Sequence, residues 1–333
     1  MYKIILFLFI PCIILSQESY VKNEHVEIDI NTINNNYFID YQFKDHWDQL
    51  HNFQIILEKE KCDTMINKFG FPTSILKENK KSKKFNVTDR NEIIRKGLFL
   101  IDGGIIKKNK KALVEYYKES VIQISDYILR YLKNNQQDTR ENRIEMAMKF
   151  VQDIPYAIPK ESRRIYKNGY ITPLEVLIEG YGDCDSKTVL FVCIMSFLIP
   201  EDDILFVSIP GHIFSAIKYD NDNFKKKKSD DYIPYTQRKE YNSKTGTYLE
   251  YKNEKYFICE TAGPGRPYYG QSNQEMKMYK IEEIDLGGVI TVNGECYHSE
   301  TMSHSKDGRR LIFEHNSCYI FNPPASYDLT KPE

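Results

Sequence analysis

Several kinds of site are missing from this chain, and each absence narrows its function. No two cysteines stand in C-x-x-C spacing, which excludes a zinc site built on that pair. His25, His46, His51, His298, His304 and His315 show no metal spacing, and the acidic residues Asp220, Asp222, Asp230 and Asp231 lack the EF-hand pattern. We therefore expect neither a metal nor a cofactor. No run of 18 apolar residues occurs, which excludes an ordinary membrane-spanning helix. Charge of one sign is not in excess: 46 basic residues face 47 acidic ones, net −1, and nothing argues for a nucleic-acid partner. There is no internal repeat, and the single tryptophan, Trp47 beside His46, reads as packing.

What is present fits a globular protein. At 333 residues, 41% hydrophobic and 28% charged, the chain suits one large domain or two ordinary ones. Lys3 precedes the apolar run IILFLFIPCIIL, which is too short to span a bilayer comfortably and ends abruptly at Ser16-Gln17-Glu18. This pattern predicts a secretory signal peptide over residues 1–16, cut near Ser16, and a secreted or periplasmic product with no stable membrane insertion. A lipoprotein signal on Cys12 is the alternative, and Pro11 is a poor residue before it. Six cysteines then remain. Cys296 and Cys318 share a C-terminal stretch of β character and are the pair to test first for a disulfide.

Along the chain, Tyr37, Ile39, Tyr41 and Phe43 alternate with Phe38, Asp40 and Gln42, which is strand periodicity. From about Asp48 to Lys68 the pattern predicts a helix ending at Gly70 before Pro72. Lys110 to Lys133 predicts one long helix, with Leu113, Tyr116, Val121, Ile124, Tyr127, Ile128, Tyr131 and Leu132 on its stripe. The polar run 134–137 marks a loose boundary. Asp138 or Thr139 caps a following helix with Ile144, Ala147, Met148 and Val151 on its inner face, ending at Pro155. Thr172-Pro173-Leu174-Glu175 is a capping box with proline at the first helical position. Strands follow at 204–209, 212–219 and 256–260. Between them, residues 220–254 read as an exposed polar insert; a substrate-binding flap is the sharper alternative.

The densest chemistry lies in GYGDCDSK, Gly180 to Lys187. Two glycines permit a sharp turn, Asp183 caps a helix that begins at Cys184, and a thiol at a helix N-terminus faces the positive end of the dipole, which favours the thiolate. The segment from Cys184 to Leu198 is apolar nearly all round and predicts a buried central helix. A nucleophilic cysteine also needs a base within hydrogen-bond reach and a third group to orient that base. His212 in IPGHIF opens one strand and Glu260 closes another, on faces that neighbouring antiparallel strands bring together.

TPLEVLIEGYGDCDSKTVLF, then PGHIFSAI, then YFICETAGPG resembles the core of the transglutaminase-like superfamily, the papain-related Cys-His-Asp proteins, in its exported bacterial form. The resemblance covers about residues 140 to 290. It implies an α+β fold in which a central nucleophile helix packs on an antiparallel sheet. Residues 17–136 would be a mostly helical accessory region, 137–290 the core with its insert at 220–254, and 291–333 a β-rich extension. It implies catalysis by Cys184 as nucleophile, His212 as base and then acid, and Glu260 as orienter where the family more commonly has aspartate. By its place in FVQDIPY, Gln152 is the candidate oxyanion donor, with Tyr156 behind it. The implied activity is cleavage of amide or peptide bonds in a protein or peptide substrate through a Cys184 acyl-enzyme. Acyl transfer to an amine and a non-catalytic binding module of the same fold are the alternatives. Asp183 and Asp185 are rival acids, both assigned to the helix N-terminus.

Overall fold

A computed structural model of the chain describes residues 22–79, 85–102, 105–160, 162–209, 211–219, 248–263, 265–271, 280–283, 291–292 and 295–296. The expected signal peptide and Cys318 lie outside these residues.

The first sheet is three-stranded and antiparallel: β1 (Glu27–Ile33), β2 (Asn36–Lys44) and β3 (Leu50–Glu58). Asn34 and Asn35 form the two-residue turn between β1 and β2, both at positive φ (47° and 61°), as a primed hairpin turn requires. The helix predicted from Asp48 is thus a strand as far as Glu58. His51, Ile55 and Leu57 go inward at every second position beside Ile39, Tyr41 and Phe43 of β2, so period two wins over the helical pattern. Helix begins only at α1 (Lys59–Ile66). The region before residue 136 is accordingly mixed rather than mostly helical.

β4 (Phe71–Pro72) leads to α2 (Thr73–Asn79); α3 (Val87–Asn91) runs on into a π-helical turn at Glu92–Lys96, and β5 (Phe99–Asp102) and β6 (Ile105–Lys108) make a hairpin. The long helix predicted from Lys110 is divided into α4 (Lys110–Tyr117), a 3₁₀ turn at Lys118–Val121, and α5 (Ile122–Asn134). Ser120 Oγ donates to Tyr117 O (2.5 Å) at this tightened turn, and Leu113, Val114, Tyr117, Val121, Ile124 and Ile128 all remain buried across it. α6 (Arg140–Asp153) follows, capped by Thr139. Next come β7 (Ile165–Tyr166), paired with β4, and α7 (Pro173–Glu179), which carries the capping box.

α8 (Cys184–Met195) is the central helix; every residue from Ser186 to Met195 is buried. Each of its Val, Leu, Ile and Phe side chains contributes about 1.5–3 kcal/mol by leaving water, before the chain entropy is counted. It packs on α4, α6, α7 and the main sheet. That sheet is antiparallel throughout: β8 (Ile204–Ile209), β9 (His212–Lys218), β10 (Tyr248–Tyr251), β11 (Glu254–Cys259) and β12 (Lys280–Glu283), in the order β10-β11-β9-β8-β12. Phe206, Ile213, Ile217, Phe257 and Cys259 join the helices in one apolar cluster that extends from Val26 to Tyr269, so no separate core is marked off at residue 136. Leu205, Val207, Phe214, Ala216, Tyr256 and Ile258 form a second cluster with Leu249 of β10. β10 belongs to the sheet, which shortens the expected insert at its C-terminal end. β13 (Thr291–Val292) and β14 (Glu295–Cys296) form a small hairpin within the expected C-terminal extension.

Candidate active site

The turn into α8 is built in two steps. α7 ends at Gly180, whose φ of 70° and ψ of 22° close the helix in the left-handed conformation. The chain then passes through Gly182, whose N–H donates to Pro155 O (3.1 Å) and whose C=O accepts from Ala157 N (3.2 Å). Asp183 caps α8, accepting from Ser186 N at 2.9 Å. Burial raises its carboxyl above the ordinary value, opposed by the Ser186 hydrogen bonds. Cys184 thus stands in the first turn of α8, half-buried, while Cys62, Cys193 and Cys259 are buried.

Asp185 stands between a lysine and the thiol. Its Oδ2 pairs with Lys108 of β6, and its Oδ1 lies 3.9 Å from Cys184 Sγ. Lys108 also donates to Asn168 O (3.3 Å). Of the three acids around the thiol, then, Asp183 caps the helix, Asp185 holds Lys108, and Glu260 meets the imidazole.

His212 opens β9, and its Nε2 lies 2.5 Å from Glu260 Oε2. Glu260 follows directly on the last residue of β11, and its other oxygen accepts from Ala262 N at 3.0 Å. Burial works against a charged imidazole here, but hydrogen bonds with Cys184 and with Glu260, reinforced by the charges of both, outweigh it and push His212 up to about 10. With Nε2 engaged by Glu260, Nδ1 is the ring nitrogen left for the thiol. The structure therefore joins His212 to Glu260, and Cys184 at the start of α8 adds to the rise of the imidazole.

Gln152 lies elsewhere in the assembly. It is buried near the end of α6, and its Nε2 donates to Glu260 O (2.7 Å) and to Pro267 O (2.9 Å). Both amide protons are spent on backbone carbonyls behind the acid, which is a positioning task and not that of a free oxyanion donor. Tyr156 is closer to the chemistry: it bridges to Gly182 of the nucleophile turn. Its phenol is raised by burial first and then by the charge of Cys184, with smaller contributions from Asp183, Asp185 and Glu260.

Two lysines behind the triad were not singled out from the sequence. Lys187 of α8 and Lys149 of α6 are both buried. Lys149 Nζ donates to Arg266 O (2.8 Å), Pro267 O (2.9 Å) and Gln152 Oε1 (3.1 Å). The signal for Lys187 was a second charge, after Asp185, at the head of an otherwise apolar helix.

Among the described residues no group of His, Cys, Asp and Glu side chains is arranged to hold a metal ion, and no helix is long and apolar enough to cross a membrane. Compared with known proteins, the chain matches no protein-family model, no curated protein and no solved structure.

Proposed function

We propose that this protein is a thiol enzyme that cleaves amide or peptide bonds through a Cys184 acyl-enzyme, on a transglutaminase-like core formed by α8 and the five-stranded sheet. The observation that carries the reading is the 2.5 Å pair of His212 Nε2 with Glu260 Oε2, with Cys184 in the first turn of α8 as a further cause of the raised imidazole.

The thiolate adds to the substrate carbonyl, and the carbonyl electron pair moves onto oxygen. In this reading the Cys184 backbone N–H at the start of α8 receives that oxyanion, and the Tyr156 phenol is the second donor. As the tetrahedral species collapses, the C–N bond breaks and the His212 imidazolium gives its proton to the departing amine. Neutral His212 then takes a proton from water, which attacks the thioester and releases the acid while the thiol is regenerated. Glu260 holds the ring and balances its charge throughout.

Alkylation of the full chain by iodoacetamide, followed site by site against pH, tests the reading. Cys184 is expected to react first and to keep reacting near pH 6, while buried Cys62, Cys193 and Cys259 react only after unfolding. Burial pushes the Cys62 thiol up to about 11 and raises the Cys193 and Cys259 thiols as well, which reinforces that order. His212→Ala should abolish the reactivity near pH 6, and Cys184→Ser should abolish cleavage of a denatured protein substrate. Incorporation of a fluorescent primary amine into that substrate identifies acyl transfer; product release without it identifies hydrolysis. Equal reactivity of Cys184 before and after His212→Ala overturns the catalytic reading and leaves a binding module.

A further inference from the structure

Lys187 follows Cys184 by one helical turn, and its side chain is fully buried. Among the described residues its Nζ forms no carboxylate ion pair. It donates instead to three main-chain carbonyls: Ile154 O (2.6 Å), Ala262 O (2.6 Å) and Gln152 O (3.3 Å). An ammonium has three protons, and here each has an acceptor. Two acceptors lie at the end of α6 and the third in the loop after Glu260. One side chain on the nucleophile's helix therefore fastens two segments to it. Burial lowers the ammonium to about 7, with the charges of Asp153 and Glu260 opposing that fall.

Ala262 links this lysine to the triad. Its N–H donates to Glu260 Oε1 (3.0 Å), and its C=O accepts from Lys187. The main chain at Glu260 is held from the other side, where its carbonyl accepts from Gln152. The fit continues at Gly263, at φ +68°: a Cβ there would lie 2.5 Å from Gln152 O and 3.1 Å from Lys187 Nζ. The Glu260 carboxylate therefore has one oxygen on the imidazole and the other on a peptide that Lys187 holds in place.

We infer that Lys187 is a positioning residue for Glu260: by anchoring Ala262 to the nucleophile's own helix it aims the Glu260 carboxylate at His212. The inference rests on the thiol-enzyme reading above. The lysine touches neither thiol nor imidazole in this arrangement and acts through the loop.

Two variants of the full chain test it. Lys187→Met removes the three donors, whereas Gly263→Ala keeps the ammonium and displaces the loop from it. In each, the His212 imidazole is titrated by two-dimensional NMR and Cys184 alkylation is followed at pH 6. Both variants are expected to move His212 down from about 10 toward its ordinary 6.5 and to slow alkylation at pH 6 by about tenfold or more, the equivalent of one pKa unit. A lysine that only stabilises the fold would lower the unfolding midpoint and leave both readouts at their wild-type values; that result in folded Lys187→Met overturns the inference. Should Lys187→Met not fold, Gly263→Ala decides: an unchanged His212 titration overturns the inference there as well. His212→Ala separates the two claims. If it abolishes alkylation near pH 6 while Lys187→Met and Gly263→Ala do not slow it, the catalytic pair stands and the positioning role falls. If it leaves alkylation unchanged, both fall.

Discussion

His212 and Glu260 meet although they are not cross-strand partners. In the β9–β11 register Cys259 lies opposite Ser215, and one further step places Glu260 opposite Phe214, two residues from His212. The contact is therefore a diagonal one, between positions about 7–8 Å apart that only long side chains can join. Glutamate spans the offset and leaves its second oxygen for Ala262. The second methylene of glutamate, which aspartate lacks, fits this register.

Aspartate should consequently be a poor substitute. In both Glu260→Asp and Glu260→Gln, His212 is expected to titrate well below the wild-type value of about 10, toward 6.5. The sign of the stability effect follows. His212 is raised on folding, so its contribution is full below about pH 6.5 and disappears as pH rises through about 10. The stability difference between wild type and Glu260→Gln should be largest just below pH 6.5 and shrink steadily toward pH 10. Urea unfolding across that range measures it.

The turn into the nucleophile should be sensitive to backbone conformation more than to bulk. A Cβ at Gly180 would sit 3.5 Å from Ile28 Cγ2 and Ile30 Cδ1, an ordinary contact, but φ there is +70°. Gly180→Ala should cost about 1–2 kcal/mol from left-handed strain alone. Gly180→Asn should cost less despite being larger, because asparagine tolerates that conformation. Guanidinium unfolding of the two variants ranks them; a larger loss for asparagine would show that space is limiting.

Asp153 should be among the most costly polar residues to change. Buried at the end of α6, it accepts from Asn23 Nδ2 (2.9 Å) and Lys44 N (3.0 Å), lies 2.7 Å from His25 Nε2, and pairs with Arg266 Nε (3.0 Å). Asp153→Asn removes the buried partner of Arg266, which keeps only the exposed Asp48 carboxylate at 3.7 Å, and should cost about 3–5 kcal/mol. Cys184 should still alkylate near pH 6 in whatever fraction stays folded, since Asp153 joins the first sheet to α6 and does not touch the triad.

The sequence made the candidate site residues legible for a simple reason. A capped helix start and two strand ends are local features, and Cys184, His212 and Glu260 occupy them. Asp183 and Thr172 could be read as caps for the same reason. β3 was misread because the run around Phe53, Ile55, Ile56 and Leu57 is apolar enough to satisfy either period, and only its pairing with β2 decides between them. The division between α4 and α5 left no glycine or proline as a marker. Gln152 was placed correctly near the site by its phrase, yet its partners, Glu260 and Pro267, lie more than a hundred residues on. Lys187 and Lys149 were missed because lysine ordinarily stays in water. What holds them inside is a set of main-chain carbonyls, and no side-chain pattern announces those.

The direction of the strands has a consequence for how such a protein can diversify. β9 runs away from the thiol, from His212 to Lys218, a path of about 20 Å at strand rise. β11 runs back toward it, from Glu254 to Cys259. Tyr219 therefore lies at the end of the sheet remote from His212. Changes of length or composition introduced at that point are separated from His212 by a fully paired strand. The sheet thus has one pole at the His212–Glu260 pair and the other, nearly the full length of β9 away, where chain can be added without moving that pair.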